Sequence, residues 1–191
     1  MTLLAGGGGR EGDERAVSLV CFGTVAKRLL TIELCSIGGH WRVITLVECD
    51  SIIEDPSKRI EGDLVWRALD DHRPACMFRE PVLSDEGYPL EVVGRLNPMV
   101  GKLSYVLLYR GAGRIDGLDL GSAHRNPDGE RVGDKHKHKW TADYRDKWAY
   151  VPEDITAPWD RPLEVWQQFC VEARINHHGL LSEPSIQGSL L

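Results

Sequence analysis

Three of the seven histidines, His124, His136 and His138, fall in one short segment, His124-Arg-Asn-Pro-Asp-Gly-Glu-Arg-Val-Gly-Asp-Lys-His-Lys-His-Lys-Trp140. Side chains alternate along a strand, so His136, His138 and Trp140 share one face while Lys135, Lys137 and Lys139 share the other. A His-x-His pair on a strand holds its imidazoles roughly 6–7 Å apart, near enough to ligate one ion or to act together on one phosphate. His124 joins them if the Asn126-Pro-Asp-Gly129 turn folds its strand back, with Asp128 or Asp134 as a carboxylate ligand. Such a set suits a divalent zinc, manganese or iron ion. Without metal, the same histidines could share acid and base roles on a phosphoester. The expected substrate contacts are Arg125, Lys135, Lys137 and Trp140. A third reading is structural: the lysines shield an exposed edge strand and the histidines pack on Trp140 and Trp148.

These residues need a scaffold, and strand periodicity supplies most of it. Residues 102–110 alternate with Leu103, Tyr105, Leu107 and Tyr109 against Val106 and Leu108, which predicts a central strand buried on both faces. Residues 115–120 predict the next strand. Proline presets φ and glycine tolerates the closing geometry of the Asn126–Gly129 turn, and the chain returns along 135–140 and again along 147–151. Upstream, Leu30, Ile32 and Leu34 predict a strand over 28–35, Val43 and Val47 a second over 41–48, and Gly38-Gly39 a hairpin between them. Residues 63–70, with Leu64, Val65, Trp66 and Leu69, predict a short helix, and the rest of 50–101 turns and short strands. Pro162 suits a first helical turn, and Trp166, Phe169, Cys170 and Ala173 lie on one face opposite Glu164, Gln168 and Glu172. Asn176 and Gly179 are expected to stop that helix, and His177-His178 to cap its C-terminal dipole.

The expected fold is α+β: one domain at residues 16–178, an antiparallel meander sheet packed by a C-terminal amphipathic helix. Residues 1–15 hold five glycines and five charges with little to bury, and predict a flexible arm. Residues 179–191 predict a loose tail. An apolar fraction of 42% and a charged fraction of 27% fit a globular protein. No apolar run approaches a membrane span, and Leu3 and Leu4 before Gly6 predict no signal peptide. Cys21, Cys35, Cys49, Cys76 and Cys170 are scattered and odd in number, which predicts buried thiols in the cytoplasm. A net charge of −6 argues against general adhesion to nucleic acid, although the 124–147 window is locally basic.

Gly133 followed by His136 and His138 is similar to the cupin metal motif, but the glutamate that motif requires is missing. The chain also resembles small uncharacterised proteins of bacterial genomes, prophages and mobile elements. The residues that carry this are His124-Arg-Asn-Pro-Asp-Gly129, His136-Lys-His138, Asp146-Lys-Trp-Ala149 and the amphipathic helix ending near Ile175, so that it covers residues 102–176. The resemblance implies one motif rather than a reaction. Two functions are expected from the residues. The first is a phosphoester hydrolase of nuclease type, with His136 and His138 central and His124 assisting, metal-dependent or RNase-like. The second is a non-catalytic protein that binds a protein partner.

Overall fold

A computed structural model describes residues 44–184. The expected arm, the strand at 28–35 and its hairpin lie outside the described residues, as do Cys21 and Cys35. In chain order the elements are α1 (Leu46–Glu54), β1 (Arg59–Glu61), β2 (Arg67–Ala68), β3 (Cys76–Val82), β4 (Leu90–Asn97), β5 (Lys102–Tyr109), β6 (Gly113–Leu120), β7 (His124–Arg125), β8 (Arg131–Val132), β9 (Lys135–Thr141), β10 (Arg145–Tyr150), α2 (Pro162–Glu172) and β11 (Asn176–His178). A seven-stranded antiparallel sheet runs in the order β10-β9-β6-β5-β4-β3-β2, with the β7–β8 hairpin inserted between β6 and β9. This is the expected meander, with β5 at its centre and β3 and β4 longer than the composition of 50–101 suggests. No helix among the described residues is long and apolar enough to cross a membrane.

One face of the sheet carries the core. Leu103, Tyr105 and Leu107 of β5, Val92 of β4, Phe78 of β3 and Leu118 of β6 are buried there with Val165, Trp166 and Phe169 of α2. Tyr105 meets Trp166 edge to face at 5.1 Å and lies tilted 5.7 Å from Phe169, and its Oη donates to Pro162 O at 2.8 Å. A Cβ on Gly94 would lie 2.2 Å from the Phe78 ring, so a glycine is needed for that ring to cross β4. The helix α2 follows the expected period but ends on Arg174, not on Asn176 or Gly179. Arg174 takes a φ of 52°, and Ile175 N donates to Cys170 O at 2.9 Å, a Schellman closure without glycine.

Three upstream and downstream expectations change. Residues 46–54 are helical, not extended: Thr45 Oγ1 accepts from Glu48 N at 3.1 Å, and Thr-x-x-Glu is a helix-start pattern that outweighs the Val43 and Val47 alternation. The expected helix at 63–70 is extended, because Leu64 and Trp66 are buried at 1% and 7% while Val65 between them is 55% exposed, a period of two. His177 and His178 form β11, parallel to β1, rather than a helix cap. His177 Nδ1 accepts from Trp166 Nε1 at 3.1 Å. Beyond the expected boundary, Leu64 N donates to Leu180 O and Ser182 N to Leu64 O, so this part of the tail is paired to the domain.

The C-terminal end of α1 is held by charge. Lys58 is fully buried, and its Nζ donates to the carbonyls of Ile52, Ile53 and Asp55, each at 2.7 Å. Asp55 beside it accepts from Ser84 Oγ at 2.6 Å and from Ser57 N and Oγ at 2.9 and 2.7 Å, tying the helix end to the β3–β4 connection. Burial pushes the Asp55 carboxyl up, but these hydrogen bonds and the Lys58 charge more than offset it, and its pKa is lowered. A lowered folded pKa stabilises the fold fully above the ordinary Asp value of about 3.9, and the contribution is lost as pH falls through the folded value. Asp55→Asn is therefore expected to cost about 1–2 kcal/mol near neutral pH and progressively less below about pH 4, read from urea midpoints. An equal cost at both pH values would contradict this assignment.

Candidate metal centre

The sheet's other face is where the histidines lie. The β6–β9 register sets Asp119 opposite His136 and Gly117 opposite His138. Because the period is two, Asp119, His136 and His138 point away from the helices, while Asp116, Lys137 and Lys139 point toward them. The lysine face is thus not the exposed face of an edge strand: β9 lies between β6 and β10, and Lys137 is 4% exposed. Lys137 Nζ lies 3.0 Å from Asp116 and also pairs with Glu172 of α2, while Lys135 Nζ donates to Ile155 O at 2.7 Å. Neither lysine shares a face with the histidines. Burial raises the Asp116 and Glu172 carboxyls, with Lys137 opposing.

His124 reaches the histidine face through the β7–β8 hairpin. The Asn126–Gly129 turn closes as expected, with Gly129 at φ 93° and its N donating to Asn126 O at 2.9 Å. Asn126 is 4% exposed. Its Nδ2 donates to Ala149 O at 2.9 Å and its Oδ1 accepts from Ala149 N at 2.8 Å, so one side chain pairs with the outer edge of β10 as a peptide would. Beside it, the register of β10 shifts between Arg145 and Trp148. Such a bulge re-aims the backbone, and here the carbonyls of Asp146 and Lys147 both meet imidazoles.

Each histidine has one ring nitrogen engaged by a backbone carbonyl: His124 Nε2 by Lys147 O at 2.9 Å, His138 Nδ1 by Asp146 O at 2.9 Å, and His136 Nδ1 by Gly133 O at 3.3 Å. A carbonyl only accepts, so these nitrogens carry the protons. The remaining nitrogens, in neutral rings, are acceptors. The three histidines place ligand atoms within 4.8 Å of one another, with ring centroids 4.8–5.2 Å apart. Asp119 Oδ2 lies 3.1 Å from His138 Nε2 and 3.6 Å from His136 Nε2. Ligand bonds of about 2.0–2.1 Å at tetrahedral angles separate donor atoms by roughly 3.3 Å, so the Asp119–His138 and Asp119–His136 distances match one ion, while the histidine atoms, up to 4.8 Å apart, must draw closer to share it.

Burial lowers the His136 pKa, with the Asp119 charge opposing and His138 adding to the fall. Burial raises the Asp119 carboxyl, but His138, His136 and Arg114 more than offset it, and the net shift is downward. Arg114 spans the site's edge: its Nε donates to Asp146 Oδ2 at 3.1 Å, its Nη2 to Asp146 O at 3.2 Å, and its Nη1 lies 3.6 Å from Asp119. A Cβ on Gly117 would sit 2.8 Å from Arg114 Cδ, so a side chain there would displace this guanidinium.

The other expected contacts disperse. Asp128 stays at the exposed turn tip, where its Oδ1 accepts from Glu130 N at 3.0 Å, and the structure does not bring it to the histidines. Arg125 donates to Gly129 O at 2.7 Å within the same turn. Trp140 is 7% exposed, Trp148 pairs with Lys139 on the other face, and the three histidine rings lie against one another. Sequence reasoning missed Asp119, Arg114 and the bulge carbonyls. A signal for Asp119 existed: Asp116 and Asp119 are three apart, hence on opposite faces of β6, and each matches a basic or imidazole partner on β9.

The hairpin's anchor is testable. Asn126→Ala leaves the Ala149 N–H and C=O without their partner and is expected to cost about 2–4 kcal/mol. Hydrogen exchange at the Ala149 amide should speed up at least about tenfold, and unchanged protection there would contradict the anchoring role. Residues 92–175, from β4 to just past α2, match a family described as Family of unknown function (DUF6978), and this span contains every residue of the centre. No curated protein and no solved structure matches the chain.

Proposed function

We propose that His124, His136, His138 and Asp119 hold one divalent cation and that the protein is a metal-dependent phosphoester hydrolase. One observation carries this reading: three imidazoles, each with a nitrogen tied to a backbone carbonyl, bring ligand atoms within 4.8 Å of one another, and His136 and His138 face the Asp119 carboxylate with Nε2. His138 Nε2 and Asp119 Oδ2 at 3.1 Å are both acceptors when the ring is neutral, and the pair is relieved either by a proton on the ring or by a cation bound to both. Carbonyl partners on the outer nitrogens are what metal-bound histidines normally have, because they fix tautomer and orientation. Three nitrogens and one oxygen suit zinc, manganese or iron(II).

The metal-free alternative is less well supported. General acid–base work needs ring nitrogens that reach substrate, yet His136 and His138 are 3% and 5% exposed, and each commits Nδ1 to the backbone. A divalent ion bound here would supply Lewis-acid charge and a water of lowered pKa. In the hydrolysis, a water oxygen bonds to phosphorus and the P–O bond to the alcohol breaks. One water proton passes to the leaving alkoxide and the other stays on the phosphate. Asp119 and Arg114, each about a quarter exposed, form the side of the centre open to substrate, and the guanidinium holds Asp119 and Asp146 in place there.

The same burial favours a second reading, in which the ion clips the β7–β8 hairpin to the sheet and the protein works by binding a protein partner. Metal content and activity separate the two. The purified full chain is expected to take up stoichiometric zinc or manganese and to hydrolyse aryl phosphates, while His138→Ala loses both, with the rate falling at least about 100-fold. Metal uptake without hydrolysis supports the clip. Full activity in His138→Ala would overturn the hydrolase reading.

A further inference from the structure

One cross-strand row on the outer face runs Arg95, Ser104, Asp119, His136, from β4 through β5 and β6 to β9. Strands are about 4.8 Å apart, so Arg95 stands two strands, roughly 10 Å, from Asp119, and an extended guanidinium spans most of that distance over the short Ser104 side chain. Arg95 and Asp119 both line a cleft of about 290 Å³, where Lys102, Ser104, Ser122 and His72 join them beside apolar side chains such as Leu69 and Leu96. Asp119 therefore belongs both to the histidine centre and to this cleft.

The charges are arranged for an anion. Arg95 and Lys102 are exposed and make no ion pair with any described residue, whereas Arg79 is paired with Glu91 and Arg114 with Asp146. Ser104 and Ser122 add hydroxyls that can donate. Arg95 and Lys102 outnumber Asp119 among the charges of the cleft, so in a chain of net charge −6 the cleft is locally positive. The size limits the guest: the volume sits at the lower end of small-ligand pockets, too little for a run of nucleotides.

We infer that this cleft is the phosphoryl subsite of the centre and that the substrate is a small phosphate monoester, its dianion held by Arg95 and Lys102. The inference rests on the hydrolase reading for its chemistry, but the anion site itself is testable apart from it. Inorganic phosphate titrated into the zinc-loaded full chain is the probe, with Arg95→Ala and Lys102→Ala as variants whose exposed side chains are not needed for folding. Each substitution is expected to weaken phosphate binding about tenfold, leave zinc content unchanged and raise KM for p-nitrophenyl phosphate. The parent should prefer this monoester to bis(p-nitrophenyl) phosphate and to a single-stranded oligonucleotide. Phosphate binding that ignores both substitutions overturns the subsite, and preference for the diester or oligonucleotide overturns the monoester assignment. If phosphate binds through Arg95 and Lys102 but no ester is cleaved, the anion site stands and the hydrolase reading fails.

Discussion

The register of β6 against β9 is the constraint on which the rest depends. Asp119 stands opposite His136 and Leu118 opposite Lys137, so one strand pair carries the buried Asp116–Lys137 ion pair on its helix side and the histidine cluster on its other side. A slip of one residue would exchange the two sets, sending imidazoles into the aromatic core and lysines under the hairpin. The Asp116–Lys137–Glu172 group opposes such a slip, because a buried charge deprived of its partners costs several kcal/mol, about 3–5 in comparable cases. The core and the candidate centre are thus two consequences of one alignment, and α2 contributes to the centre without touching it.

What the sheet does not supply, the hairpin and the bulge do. Asn126 pairs with Ala149, His124 with Lys147, and His138 with Asp146, so segments separated in sequence form one hydrogen-bonded unit. This gives a physical reason for the His-x-Asn-Pro-Asp-Gly, His-x-His and Asp-x-Trp-Ala pieces to occur together: each orients a part of another. The backbone carbonyls do the orienting, and they leave Nε2 of His136 and His138 turned toward Asp119.

Much of the sheet was legible because β5 alternates cleanly, turn residues separate the strands after it, and α2 keeps a helical period. The helix α1 was not, since Val43 and Val47 imitate a strand while the competing Thr45-x-x-Glu48 signal is local and short. Residues 63–70 misled in the opposite direction: their apolar content suggests a helix, but only Leu64 and Trp66 are buried. The shared face of His136 and His138 followed from alternation alone, and the turn did bring His124 to it. Which carboxylate joins them did not follow, because Asp128 is near in sequence whereas Asp119 is near only once β6 pairs with β9. The lysines failed for the same reason: alternation separates them from the histidines without saying which side is solvent.

On the proposed reading four atoms, one each from His124, His136, His138 and Asp119, surround a single cation. X-ray absorption at the zinc edge, on the full chain loaded with one equivalent of zinc, reads that shell. The expected spectrum has four nitrogen and oxygen neighbours at about 2.0–2.1 Å with the outer scattering of three imidazoles, lost in His138→Ala. A first shell containing sulfur from the cysteines, or a spectrum unchanged by His138→Ala, would contradict it.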